Sequence, residues 1–249
     1  MTWSIIARDD SSGDIGIAVA SRFFACGSLV PHVGRQAAFA TQAFVNPVWG
    51  TEGLARLEAG EPAAAVLADL VARDRGQAQR QAHAMDARGG IAAHTGSDCV
   101  PWAGHMSGAG WSIAGNMLTG PEVIAATART YAARADLPFA DRLLAAMQAG
   151  EDAGGDARGR QAAGLRIHRG EAHPWLDLRA DDHADPLAEL RRLLAVARER
   201  YLFVAEIMPT QANFSGAPDR ADTDRRIREA EEARQAAGLP SLSHATART

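Results

Sequence analysis

The chain of 249 residues contains no lysine, so its 26 basic residues are all arginine. Without a lysine amine no side-chain Schiff base forms, which excludes lysine-bound pyridoxal-phosphate chemistry and lysine-dependent aldolases. The phosphate-binding pattern GxxxxGK[ST] is impossible for the same reason. Cysteine is almost as scarce. Cys26 and Cys99 are the two present, too few for a disulfide framework and suited to a reducing compartment. No apolar run approaches the roughly 18 residues that span a bilayer. The first residues lack the basic region, apolar run and small-residue cleavage site of a signal peptide. The formal net charge is -4, so no basic field favours nucleic acid or anionic lipid. The expectation is a cytoplasmic protein with no nucleic-acid or membrane partner.

What is present is ordinary for a globular chain: 47% hydrophobic and 22% charged residues. Apolar runs at 3–8 and 14–20 flank Asp9-Asp10-Ser11-Ser12-Gly13, a join rich in turn formers, which predicts a β-hairpin. A third strand is expected over 39–44. Asn46-Pro47 opens a helix to about 58, and Gly60-Glu61-Pro62 separates it from a second over 63–72. Strands near 80–86 and 90–94 form another hairpin. A Gly-rich stretch runs over 96–110, followed by a strand over 111–118. Helices over 121–133 and 136–147 precede a polar loop, 150–159. Strands near 161–168 and 175–179 lead to a long helix, 185–204. Helices arriving in pairs argue against a doubly wound parallel sheet. They favour an α+β fold, a four-layer αββα sandwich of two mainly antiparallel sheets. Composition shifts near 208, giving a domain over 1–208 and a charged helical extension with a disordered tail over 209–249.

Thr2 is the most direct pointer to chemistry. With Met1 removed, it carries a hydroxyl and a free α-amine on one residue, a nucleophile beside its own base. Ser21 and Arg22 end the partner strand of the hairpin, so they return close to Thr2, and Arg22 suits a carboxylate. Cys26 lacks a His/Asn pattern and reads as buried. Asn46 ends a buried strand as a helix N-cap, with substrate contact as the alternative. His94 reads as a hydrogen-bonded histidine packed at a strand end and stands with Ser21, Arg22 and Asn46 as a substrate-binding candidate. It and His105 share the Gly-rich region but lack zinc-ligand spacing, so no metal and no cofactor are expected. A metal-dependent hydrolase using these two histidines is the alternative. Gly115-Asn116 ends a strand with an amide suited to an oxyanion. Asp156 and Arg158, in Gly154-Gly155-Asp156-Ala157-Arg158-Gly159-Arg160, suit substrate binding or pinning of the loop.

Several stretches together resemble a known family: Thr2-Trp3-Ser4-Ile5-Ile6-Ala7-Arg8-Asp9, Gln42-Ala43-Phe44-Val45-Asn46-Pro47, Ala93-His94-Thr95-Gly96, Pro101-Trp102-Ala103-Gly104-His105, Gly115-Asn116-Met117-Leu118 and the 154–161 loop. The acidic run Asp181-Asp182-His183 with Asp185-Pro186 belongs to the same set. The chain is similar over about 1–205 to domain-of-unknown-function family 1028. The resemblance implies an N-terminal-nucleophile-hydrolase-like αββα fold and supplies no reaction. Some relatives resemble proteins with a C-terminal peptidoglycan-binding module; the Arg/Glu-rich segment after 208 lacks the apolar core for one, so that module is not carried over. The function expected is amide-bond hydrolysis on a small metabolite, or ligand binding without turnover. A homo-oligomer is expected, a dimer before other states.

Overall fold

The computed structural model describes residues 2–246, which form two compact units, one ending at Leu190 and one beginning at Arg191. Met1, and with it the question of its removal, lies outside the described residues, as does the 247–249 end of the tail. The sequence change near 208 falls inside the second unit.

The first unit contains ten strands and five complete helices among the described residues, with a sixth beginning at its end. β1 (Thr2–Arg8) and β2 (Ile15–Ser21) form the expected hairpin. A short α1 (Cys26–Leu29) and β3 (Pro31–Val33) follow, then β4 (Ala38–Ala43). Two helices come next, α2 (Pro47–Glu58) and α3 (Ala63–Arg73). β5 (Arg80–Met85), β6 (Ile91–Thr95), β7 (Gly104–Gly108) and β8 (Trp111–Asn116) lead to α4 (Glu122–Ala133) and α5 (Phe139–Asp152). β9 (Ala162–His168) and β10 (Leu176–Ala180) precede α6 (Pro186–Glu199).

All strand pairs are antiparallel. One sheet runs β10-β9-β2-β1-β8-β7 and the other β3-β4-β5-β6. The α+β layering is therefore present: α4 and α5 cover the first sheet, α2 and α3 the second, and the bare faces of the two sheets meet. Period-two alternation assigns the faces. Trp3 and Ile5 point toward α4 and α5, while Thr2, Ser4 and Ile6 enter the layer between the sheets. One cluster between the sheets contains Ile6, Ile17, Val19, Val30 and Met85. Another, of Phe39, Trp49, Leu57, Val66 and Leu70, lies under α2 and α3. Gly164 admits α1 against the first sheet, because a Cβ there would stand 2.6 Å from the Gly27 Cα.

Four expectations require correction. The helix expected over 136–147 starts at Phe139, behind Pro138, and runs to Asp152, so it absorbs the start of the supposed 150–159 loop. The strand expected to reach 118 stops at Asn116, because Met117 turns to a φ of +52°. The 96–110 stretch contains β7, held by pairing with β8. The helix expected over 185–204 is two, α6 and α7 (Tyr201–Ala205), with Arg200 between them at a φ of -150°.

The second unit adds α7 and the charged α8 (Ala221–Ala236). Within it, Glu199 accepts from Ser241 Oγ at 2.7 Å and the Leu242 N–H at 3.0 Å, so the tail is tied down there. Among the described residues no helix is long and apolar enough to cross a membrane.

Candidate functional site

The strand directions bring one set of ends together. Thr2 starts β1, Ser21 ends β2, Ala43 ends β4, Thr95 ends β6 and Asn116 ends β8. Thr2 pairs with Asn116 in the register of the first sheet, and on its other side Trp3 pairs with Ala20, which sets Ser21 beside Thr2. Its Oγ1 donates to Ser21 Oγ at 3.1 Å. Asn116 Nδ2 donates to the Thr2 carbonyl at 3.4 Å and to Gln81 Oε1 at 2.9 Å. The three predicted residues Thr2, Ser21 and Asn116 thus share one buried place.

Beneath them lies a chain of polar side chains that period-two patterning would make apolar. Gln42 Nε2 also donates to Gln81 Oε1, at 2.9 Å. Gln81 Nε2 donates to Thr95 Oγ1 at 2.9 Å and to the Gly115 carbonyl at 2.8 Å. Ser4 Oγ donates to Gln42 Oε1 at 2.7 Å and lies 2.9 Å from His83 Nε2. With its proton on Gln42, Ser4 accepts from His83 Nε2–H. The other ring nitrogen then accepts from Ser112 Oγ at 3.0 Å. This neutral tautomer satisfies every donor and acceptor on the ring. Complete burial, and then the charge of nearby His105, push the His83 pKa down to about 3.

A cleft of about 330 Å³ opens beside Asn116, lined by Ala43, Phe44, Asp98, Cys99, Val100 and Met117, with Gln79. Two of these residues hold left-handed backbone without being glycine: Ala43 at a φ of +66° and Met117 at +52°. Such conformations cost energy and concentrate at functional sites. Burial raises the Cys99 thiol pKa, and burial followed by the charges of Asp181 and Asp156 pushes Cys26 up to about 12. Both cysteines are therefore held as thiols, and Cys26 is buried as expected.

The 154–160 loop is pinned across the same end. Leu118 bridges Asp156, whose carboxylate accepts the Arg22 N–H at 2.7 Å and the Arg158 N–H at 2.8 Å. Arg22 Nη1 donates to the Arg158 carbonyl at 2.6 Å. Arg22, Asp156 and Arg158 are therefore neighbours, and Asp156 acts as the loop's anchor. Asn46 caps α2 by accepting from the Val48 and Trp49 N–H groups, and donates to Asp74 Oδ2 at 2.9 Å. His94 bonds the Gln77 carbonyl at 2.9 Å and packs on Trp49, whereas His105 bonds Thr95 Oγ1 at 3.0 Å. His94 and Thr95 are consecutive on β6 and point to opposite faces, so the two histidines serve separate partners. Among the described residues no three His, Cys, Asp or Glu side chains gather as a metal-holding group.

Sequence reasoning did not single out Gln81, His83 or Ser112. The signal was available: polar residues at the inward positions of otherwise buried strands.

Among curated proteins none matches the chain. The crystal structure of protein SPO2555 from Silicibacter pomeroyi, described as a DUF1028 protein, superposes with a TM-score of 0.81 at 32% identity. The match covers 88% of this chain and 96% of that one. The family model described as "Family of unknown function (DUF1028)" matches residues 2–190, ending where the first compact unit ends. By both likenesses, the chain belongs to the DUF1028 family.

Proposed function

We propose that the protein is an amide-bond hydrolase of the N-terminal-nucleophile type acting on a small metabolite, with Thr2 as nucleophile once the Met1–Thr2 bond is cut. One observation carries this reading. Thr2 begins a central strand, its hydroxyl lies 3.1 Å from Ser21 Oγ, and the residue opposite it, Asn116, lines the cleft.

The freed α-amine titrates near pH 8, so a useful fraction is neutral at physiological pH. It takes the Oγ1 proton as Oγ1 attacks the substrate carbonyl carbon. The carbonyl electron pair moves to oxygen, and Asn116 Nδ2 donates to that oxyanion by yielding its long bond to the Thr2 carbonyl. Collapse breaks the C–N bond, and the leaving amine takes the proton from the α-ammonium. Water then attacks the Thr2 ester, again giving a proton to the α-amine, and the acid departs with Thr2 restored. Ser21 orients the nucleophile. Arg22 and Arg158 orient the substrate, with Asp156 as the positioning residue that holds them. Asn46 and His94, engaged elsewhere, are given no step.

Binding without turnover is favoured by a different observation: Thr2 is only 5% exposed. The test separates the two. Mass spectrometry of the native protein should show Met1 absent. Across a panel of small amides, Thr2→Ala should lower turnover by about a thousandfold or more without loss of folding. A retained Met1 in active protein, or Thr2→Ala with unchanged turnover, would sink the catalytic reading. Ligand binding with no turnover in the unaltered protein would leave the second.

A further inference from the structure

We infer that the cleft takes a substrate carrying a cationic group on an apolar stem, an ammonium or guanidinium amide, with the charge on Asp98 and the stem against Phe44, Val100 and Met117. This rests on the cleft being the substrate site of the proposed hydrolase.

The walls are apolar and open. Phe44 is 64% exposed and Val100 50% exposed, unusual for residues of this kind side by side in a cavity. The charge in the wall is of one sign. Asp98 accepts from Ser97 Oγ at 3.1 Å and, among the described residues, makes no ion pair. The neighbouring cation is already neutralised: Arg80 Nε donates to Asp74 Oδ2 at 3.0 Å, and its Nη1 to the Phe44 carbonyl at 2.6 Å. Asp98 therefore stands without an ion-pair partner, as a negative charge against an apolar surface.

The backbone holds it there. The Asp98 N–H donates to the Ala78 carbonyl at 2.8 Å. A Cβ at Gly96 would come within 2.2 Å of that same carbonyl oxygen, so only glycine lets this turn pack so closely. One face of the Phe44 ring holds the Arg80 guanidinium, 4.8 Å from its centroid, and the exposed remainder of the ring is left for the apolar stem. A carboxylate at the edge of an apolar cleft selects a cation with a hydrophobic body and repels an anion. The scissile amide then falls at the Asn116 side of the cleft.

Three probes that share a 2-phenylethyl body test this on the full chain: 2-phenylethylammonium, 2-phenylethanol and 3-phenylpropionate. Calorimetric or NMR titration should rank the ammonium about three- to tenfold tighter than the alcohol, with the carboxylate weakest. Asp98→Asn, at an exposed position, should erase the ranking, and Phe44→Leu should weaken all three probes together while preserving it. Thr2→Ala should preserve the ranking, because the readout is binding. Equal affinities, no binding by any probe, or a ranking unchanged in Asp98→Asn would overturn the inference. Thr2-dependent hydrolysis confined to neutral amides would overturn it while upholding the catalytic reading. A preserved ranking with no Thr2-dependent hydrolysis would do the reverse.

Discussion

Strand β5 sends Gln81, His83 and Met85 into the layer between the sheets, and the two ends of this row meet different surroundings. Met85 packs with Ile6, Ile15, Val33 and Ala38, an apolar cluster. Past it, Arg8 straps β1 to the β5–β6 turn by donating to the Ala87 carbonyl at 3.2 Å and the Asp86 carbonyl at 3.0 Å. Gln81, four residues earlier and equally buried, holds Gln42, Thr95 and Asn116 by directed hydrogen bonds. Apolar contact is non-directional, so the Met85 end stabilises the sandwich without choosing a rotamer for any polar group. The Gln81 end fixes amide orientations one after another, as far as the Asn116 nitrogen beside Thr2. The lesson is a division of labour within one core layer: one end supplies cohesion, and the other supplies aim.

The sharpest way to break this contrast is a pair of shape-preserving substitutions on that one strand. Gln81→Met keeps the volume but leaves the Gln42 and Asn116 amides and the Gly115 carbonyl short of a partner. It should cost about 3 kcal/mol or more in urea unfolding, at about 1–3 kcal/mol for each orphaned group. Met85→Leu should cost less than about 1.5 kcal/mol. Equal costs would mean that the two ends do not differ in kind.

Acid sharpens it next. The His83 pKa is about 3 in the fold, far below the ordinary imidazole value of 6.5. The unfolded chain therefore binds more protons between those values. Its contribution is fully present above pH 6.5 and is lost as pH falls toward 3, at up to about 1.4 kcal/mol per pH unit. His83→Gln should flatten the unfolding free energy against pH over that window by up to this slope. Identical slopes in the two proteins would contradict a buried neutral ring.

The smallest effect concerns the rim. Left-handed backbone costs an L-residue about 1–2 kcal/mol, and the extra freedom of unfolded glycine offsets about 0.4–1 kcal/mol. Ala43→Gly should therefore stabilise the protein by about 0.5–1 kcal/mol, seen as a raised unfolding midpoint. A loss of stability would show that Ala43 is held by contacts worth more than its strain.

The hairpin, the paired helices and the Asn46 cap were legible because each rests on local chemistry: apolar runs, turn formers and an amide before Pro47. The strands β3 and β7 were not. Pro31-His32-Val33 is three residues long, and Gly104-His105-Met106-Ser107-Gly108 has no apolar alternation, so both exist through pairing with a neighbour. The break at Arg200 has no glycine or proline to announce it. At the candidate site, Thr2, Ser21 and Asn116 were readable from hairpin geometry and a strand-ending amide. The Gln42–Gln81–Asn116 chain joins residues far apart in sequence, and no local pattern connects them.

The register of β1 has a consequence for how this segment can vary. Thr2 opposes Asn116 and lies beside Ser21, and the alternation that points Thr2, Ser4 and Ile6 inward has a period of two. Inserting or deleting one residue between Thr2 and Arg8 would turn Trp3 and Ile5 into the polar chain and Ser4 out of it. A substitution changes one position of this buried strand, whereas a change of length displaces them all. The number of residues from Thr2 to the Asp9 turn is thus a ruler, and lineages of this protein should keep its length.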